Sequence, residues 1–178
     1  MRPAVSARMD PVEQDGRQRD TRHYRQFVRP RASLWVFGYG SLMWDPGFAY
    51  VRRAPALIHG YHRAMCISSS RWRGTPDKPG LVLGLDRGGS CRGIAFRVAA
   101  GDVVDALRGL WAREMQRRIY QPRLLPARIP GAMVQALAFV ADPRHAGYAG
   151  RLPLEQTAER IANCCGARGP NIEYLMRT

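Results

Sequence analysis

Apolar residues first recur with a usable period at Leu34. Leu34-Trp35-Val36-Phe37 is a fully apolar run that ends in Gly38-Tyr39-Gly40-Ser41-Leu42, which predicts a central strand leaving through a glycine turn. Ala56 to Cys66 predicts a second strand, and the polar, Gly- and Pro-containing stretch from Ser68 to Gly80 predicts a loop. Leu81-Val82-Leu83-Gly84-Leu85 runs into Asp86-Arg87-Gly88-Gly89-Ser90, after which Ile94, Phe96 and Val98 alternate with Ala95 and Arg97; this predicts a hairpin around a glycine-rich turn. Met133 to Val140, closed by Asp142-Pro143, predicts a further strand. Two segments have the helical period: Asp102 to about Met115, with acids at its start and arginines at its end, and Pro153 to Gly166. Five or six strands with two helices out of strict alternation predict an α+β fold rather than a doubly wound sheet. The first 33 residues show no apolar period and predict a solvated, disordered extension, so the expected division is 1–33 and 34–178.

The first helix carries the residue that does not fit its surroundings. Val103, Val104, Leu107, Leu110 and Trp111 form one stripe, and Glu114 follows Trp111, Leu110 and Leu107 by three, four and seven positions. A carboxylate there needs a partner or an upward shift in pKa, and a carboxyl raised toward neutrality suits general acid/base work. Two plainer readings stay open at this point: an i,i+4 ion pair with Arg118, or a place at a frayed helix end. Gly38-Tyr39-Gly40-Ser41-Leu42 is the second candidate, because glycines after a strand let backbone N–H groups converge on an anion. It lacks the later glycine of a dinucleotide fingerprint, no Gly-Lys-Ser/Thr is present, and Ser41 has no G-x-S-x-G context.

Composition adds one oddity. Of 178 residues 28 are basic and 14 acidic, for +14, and 27 of the 28 are arginine. The first 33 residues hold eight arginines against four acids, hence +4, leaving +10 on the other 145. Arginine almost without lysine, and without an aromatic-basic RNA motif, does not predict nucleic-acid recognition. No run approaches the roughly 18 apolar residues that a spanning helix needs, and no apolar run follows the N-terminal arginines as in a secretory signal. The expectation is a cytoplasmic protein without membrane contact. Cys66, Cys91, Cys164 and Cys165 lack zinc or disulfide spacing, and four scattered histidines do not help them, so free thiols and no metal are expected.

In order, Phe37-Gly38-Tyr39-Gly40-Ser41-Leu42, Arg73-Gly74-Thr75-Pro76 with Pro79-Gly80, Leu81-Val82-Leu83-Gly84-Leu85, Gly89-Ser90-Cys91-Arg92-Gly93, Arg113-Glu114-Met115 and Gly169-Pro170-Asn171-Ile172-Glu173-Tyr174-Leu175 resemble the ChaC-like γ-glutamylcyclotransferases over about residues 34 to 176. The resemblance implies a small, mostly antiparallel barrel with flanking helices. It implies cofactor-free cleavage of glutathione to 5-oxoproline and cysteinylglycine. It matches Tyr39, Gly40, Ser41 and Leu42 to the loop that holds the γ-glutamyl group and Glu114 to the catalytic acid/base. Arg73 is a candidate for the glycyl carboxylate, and Tyr120 and Tyr174 for hydrogen bonds to substrate, with core packing as the alternative for both tyrosines. The resemblance stops soon after Tyr174-Leu175, short of the family's usual further C-terminal helix, so a shortened wall and an exposed apolar patch that pairs copies are expected, in a monomer or weak dimer. Two other readings stand beside this one: a cyclotransferase for other γ-glutamyl amino acids or amines, and a non-enzymatic basic binding or regulatory protein.

Overall fold

The computed structural model describes residues 23–178. Five strands close a barrel: β1 (Leu34–Gly38), β2 (Arg52–Ser69), β3 (Gly80–Val98), β4 (Tyr120–Ile129) and β5 (Ala132–Ala141). Their order around it is β1-β3-β2-β4-β5. β1–β3, β2–β3, β2–β4 and β4–β5 run antiparallel; the ring closes through a short parallel pairing of β1 with β5, Trp35 opposite Ala136 and Val36 opposite Leu137. Helix α1 (Val103–Glu114) packs on the barrel wall, α2 (Leu154–Asn163) and α3 (Asn171–Met176) lie against the start of β3, and a small ribbon of β6 (Cys165–Gly166) and β7 (Gly169–Pro170) joins α2 to α3. This is the α+β, mostly antiparallel barrel with flanking helices that the resemblance implies.

Two apolar cores hold it together. Phe37, Ile58, Leu85, Ala95, Ala136 and Val140 fill the inside. Val36, Val98, Leu137 and Phe139 point outward and meet the α1 stripe of Val103, Leu107, Leu110 and Trp111. A five-residue strand buried on both faces must be apolar at every position, which is why β1 reads as a continuous run and not as an alternation. Val104, placed in the stripe by periodicity, is instead exposed, and Ala106 takes the buried position.

The hairpin expected around Asp86 to Ser90 does not form. β3 continues through it as one 19-residue strand, and β2 follows over 18 residues. Gly88 (φ 94°) and Gly89 (φ 67°) lie opposite Gly60 (φ 83°), where the register slips between His59 and Tyr61. Glycines in the left-handed region make a bulge here, and both strands bend together instead of reversing.

β4 gave no strand signal because Pro122 and Pro126 interrupt it, yet it pairs with β5 along its whole length. On its other side β4 meets β2 only at Ala127 and Arg128, so the missing N–H of each proline falls on an open edge.

The extension expected over residues 1–33 falls largely on residues 1–22, outside the described residues. Its last part belongs to the fold: Tyr24 is buried, and the rings of Tyr24 and Phe27 lie 5.8 and 5.7 Å from that of Trp111. Two aromatics separated by polar residues show no period, but they extend the core between α1 and the barrel by packing on Trp111.

Helix α2 also ends earlier than its pattern suggests. It stops at Asn163, and Gly166, expected as its C-cap, sits in β6. A Cβ there would lie 2.5–2.6 Å from the backbone of Trp72, Arg73 and Gly74, so glycine permits a close chain approach rather than a helix end.

Candidate active site

The apolar face of α1 carries Glu114, its last residue, down to the rim of the barrel. The side chain keeps only 16% of its exposure, and its Oε1 lies 3.3 Å from Nε of Arg113. Burial pushes the carboxyl above its ordinary range, while the charges of Arg113 and then Arg168 pull in the opposite direction without cancelling it. The i,i+4 partner does not apply: α1 ends at Glu114, and Arg118 lies beyond it with φ 52°.

A carboxyl raised in the folded state binds its proton more tightly than in the unfolded chain. Its contribution to stability is complete below the unfolded pKa and is lost as pH rises through the folded pKa. Glu114→Gln, which keeps the shape and removes the charge, is therefore expected to raise Tm relative to the parent at pH 8, with the gain shrinking toward pH 4. Thermal melts across that range check it, and a parent whose Tm is no lower than the variant's at pH 8 contradicts it.

The turn after β1 closes the site from a second side. Gly40 accepts from the Met43 N–H at 2.8 Å and Ser41 accepts from Asp45 at 2.9 Å, winding Ser41–Met43 into a tight turn. Among the described residues the N–H groups of Gly40, Ser41 and Leu42 meet no protein acceptor, as expected of the first turn of a helical segment. At Gly40 a Cβ would come within 3.0 Å of the Tyr174 hydroxyl, so only glycine leaves that approach open.

Three tyrosines, Tyr39 and Tyr174 buried and Tyr120 half-buried, complete the wall. Tyr39 donates to the carbonyl of Phe139 at 2.7 Å, and Tyr120 donates to the carbonyl of Leu83 at 3.1 Å. Tyr174 instead accepts from the Leu83 N–H at 3.2 Å, leaving its own proton unspent. The reason lies in β3. Its outer edge has a single strand contact with β5, Leu85 opposite Val140, so N–H and C=O groups at Leu81 and Leu83 need other partners. The side chain of Asn171, with no exposure, takes both groups of Leu81, at 2.6 and 2.7 Å; Tyr174 and Tyr120 take those of Leu83. Side chains thus stand in for a missing strand, and the same side chains face one another around the cavity. Burial holds all three phenols above their ordinary pKa, Tyr174 at about 12, and the Glu114 charge pushes each further up, so all three remain protonated at neutral pH.

Tyr39, Gly40, Ser41, Leu42, Glu114, Tyr120 and Tyr174 line this cavity together with Leu83 and Phe139. Arg73 does not join them. It is buried and turned to the start of α3, with Nη1 on the Pro170 carbonyl at 2.9 Å and 3.7 Å from Glu173, and its guanidinium 5.7 Å from the Tyr174 ring. It acts as a strut for Tyr174 rather than as an exposed loop cation.

A larger hollow of about 420 Å³ opens elsewhere, among Tyr61, Arg87, Gln121, Arg123, Asp142 and Arg144. Its one carboxyl, Asp142, is held down at about 2 by the Arg144 backbone N–H, with Gln121 and the Arg144 side chain adding to this. A carboxylate so firmly ionised does not supply acid/base chemistry at neutral pH, so the smaller, tyrosine-lined cavity is the candidate site.

Residues 34–178 match the family model described as "ChaC-like protein". The chain belongs to the ChaC-like family. It is 36% identical over 143 residues to the glutathione-specific gamma-glutamylcyclotransferase of Escherichia coli (strain K12), a match covering 80% of this chain and 62% of that protein. It is 39% identical over 150 residues to glutathione-specific gamma-glutamylcyclotransferase 1 of Mus musculus, covering 82% and 67%. The crystal structure of a selenomethionine-labelled γ-glutamylcyclotransferase specific to glutathione from yeast superposes with a TM-score of 0.75 at 21% identity, covering 82% of this chain and 85% of that one. That superposition concerns the fold. The chain thus spans about three fifths of the length of the E. coli relative.

In this ChaC-like barrel two residues that sequence reading did not single out hold the site. Arg113 spends its guanidinium on four acceptors at once: the carbonyl of Asp45 at 2.7 Å, the Asp45 carboxylate at 3.5 Å, the Ser41 hydroxyl at 2.9 Å and Glu114. It locks the glycine turn to the end of α1. Asn171 ties α3, and so Tyr174, to β3. Each resembles an ordinary surface residue in sequence, because the turn and strand that they tie down lie 68 to 90 positions away.

Proposed function

We propose that this protein is a γ-glutamylcyclotransferase that acts on glutathione, closing the γ-glutamyl group to 5-oxoproline and releasing cysteinylglycine. The observation that carries this reading is Glu114: a carboxyl raised by burial, held by Arg113 and enclosed by three protonated tyrosines. The names of the E. coli and mouse relatives support the same reaction.

The chemistry asks little beyond what these residues offer. The substrate's α-amine attacks its own γ-carbonyl, so nucleophile and electrophile arrive tethered, an advantage worth up to about 7–11 kcal/mol when orientation is good. The α-ammonium first gives one proton to solvent; as the free amine adds to the γ-carbonyl, the Glu114 carboxylate takes a second proton from the same nitrogen, and the C–N bond to cysteine breaks as Glu114 delivers that proton to the departing amine. A carboxyl poised above its ordinary pKa serves both halves. The unspent N–H groups of Gly40, Ser41 and Leu42 and the free proton of Tyr174 are the donors for the substrate carboxylate and the tetrahedral oxyanion. Tyr39 and Tyr120, whose protons are committed to carbonyls, shape the pocket.

Tyr174→Phe tests that division of labour. It removes the donor and leaves the Leu83 N–H without an acceptor, at about 1–3 kcal/mol of stability. We expect kcat/KM to fall roughly 10- to 100-fold, as for loss of one donor to a developing charge. Tyr120→Phe is expected to cost less in kcat. Steady-state kinetics and melts on both variants decide, and a larger kcat loss in Tyr120→Phe reverses the assignment.

The direct test is to incubate the pure protein with glutathione and follow 5-oxoproline and cysteinylglycine by mass spectrometry. Both products, in equal amounts, are the expected result. Release of 5-oxoproline from a γ-glutamyl amino acid or amine but not from glutathione would keep the reaction and change the substrate. No 5-oxoproline from any of them, with a folded protein, would leave a basic binding or regulatory role. We place the activity in the cytoplasm, in a monomer or weak dimer; all four cysteines are unpaired, which suits a reducing compartment, and among the described residues no helix is long and apolar enough to cross a membrane.

A further inference from the structure

Several guanidiniums gather near the cavity, and most are already occupied by the protein. Arg113 serves Asp45, Ser41 and Glu114; Arg73 serves Pro170 and Glu173; Arg117 reaches the Ser70 hydroxyl at 3.0 Å. Arg71 and Arg168 differ. Among the described residues neither guanidinium has a hydrogen-bonded or ion-paired acceptor, and both lie against one indole, 4.5 and 4.6 Å from the Trp72 ring centre. Trp72 is itself one of the large apolar side chains left at the surface.

The platform is rigid because two chain segments press on each other. Ala167 N–H donates to the Arg71 carbonyl at 2.8 Å, and Arg168 N–H to that of Trp72 at 2.9 Å. Gly166 permits that contact, as described above. A guanidinium seated over an indole, with no protein acceptor on its N–H groups, has those donors free to recognise a carboxylate through two parallel hydrogen bonds. The charge of Arg168 also acts on Glu114, pulling its carboxyl downward.

Arg168 does not line the cavity itself; it is exposed, one residue before the β7–α3 segment that carries Tyr174 into the cavity wall. A ligand group that meets it must therefore project from the cavity. In the proposed reaction the bond broken lies at Glu114, and the leaving dipeptide carries its carboxylate about two residues further on, roughly 7 Å at extended-chain spacing. A γ-glutamyl amino acid ends its carboxylate one residue, about 3.5 Å, short of that point.

We propose that Arg168, seated on Trp72, is a specificity-determining residue that pairs with the carboxylate at the far end of the leaving dipeptide and so selects γ-glutamyl tripeptides. This rests on the cyclotransferase reading above.

The test compares glutathione with its glycyl monoethyl ester, which differs only in that charge, using 5-oxoproline release by the full-length protein. The parent is expected to prefer glutathione by roughly 10- to 100-fold in kcat/KM, the range for a hydrogen-bonded charge pair, carried mainly in KM. Arg168→Gln should bring the ratio to within about twofold, because the discriminating charge is gone. Arg168→Lys should retain part of the preference, and Trp72→Leu, which keeps the arginine but removes its seat, should lose part of it. A parent that treats both substrates alike, or an Arg168→Gln variant in which both fall equally, overturns the assignment. The equal fall would show that Arg168 acts through Glu114 or the fold. Absence of 5-oxoproline from either substrate with the parent protein instead defeats the cyclotransferase reading, and this inference with it.

Discussion

Glu114→Gln is expected to reduce 5-oxoproline release at least about 1,000-fold while leaving the protein folded and able to bind substrate. A positioned acid or base contributes typically 10²–10⁴-fold, and here one carboxyl performs both proton transfers in sequence, so nothing remains to take over either. The fold should survive because the substitution removes a charge from a site that burial already disfavours, and Gln can still accept from Arg113 at the 3.3 Å position. Glutathione turnover by mass spectrometry, beside a melt and a binding titration, gives the three readouts. Turnover within about tenfold of the parent would remove Glu114 from the mechanism, since a loss that small lies below the range of acid/base catalysis. Glu114→Asp is a useful companion: it keeps the carboxyl but withdraws it by one methylene from Arg113 and the tyrosines, and a partial loss in kcat separates placement from chemistry.

The largest effect on stability is expected from Asn171→Ala. Both amide ends of this side chain are committed to the main chain of Leu81, and no water reaches the pair. Alanine leaves a buried N–H and a buried C=O unpaired, each at about 1–3 kcal/mol, for a loss of about 2–5 kcal/mol. At roughly 2–4 °C per kcal/mol for a chain of this size, Tm should fall by about 5–15 °C. Urea unfolding should show the midpoint moving with little change in slope. Activity should fall as well, because α3 carries Tyr174 and is tied to the barrel by this residue. Asn171→Asp keeps an acceptor for Leu81 N–H but sets a carboxylate against the Leu81 carbonyl, so its deficit should ease as pH drops. A loss below about 0.5 kcal/mol in Asn171→Ala, the ordinary surface range, would mean that Asn171 does not close the β3 edge.

The two variants mark how the site was built. Glu114 was visible in sequence because an α-helix has a fixed period: a carboxylate three, four and seven residues beyond buried positions falls on the buried face whatever the rest of the fold does. The Gly38–Leu42 turn was visible because two glycines after an apolar run restrict the local backbone. Asn171 and Arg113 were not, because their value lies in partners brought in by closure of the barrel. Tyr120 and Tyr174 fall between these cases. Both were candidates for hydrogen bonds to substrate with core packing as the alternative, and only the structure shows that one donates to the Leu83 carbonyl while the other accepts from its N–H and keeps a proton.

The errors have the same origin. Gly88 and Gly89 suit a hairpin turn and a bulge equally well locally; a long β2 running alongside decides for the bulge. Pro122 and Pro126 argue against a strand unless one edge is open, and openness belongs to the sheet, not to the segment. Arg73, in a stretch that reads as a polar loop, is a candidate for a substrate carboxylate until α3 folds over it and takes its guanidinium.

By itself, then, the sequence determined what depends on neighbours within about seven residues: the buried run of β1, the face of α1 and its misplaced carboxyl, and the glycine turn. Short-range sterics and helical periodicity settle those before the chain folds. The tertiary structure alone decided the continuous β2–β3 ribbon, the proline-bearing β4, the Arg113 lock, the Asn171 clasp and the cations on Trp72. Each of these depends on a polar or steric need met by a residue far along the chain, and that partner exists only once the barrel has closed.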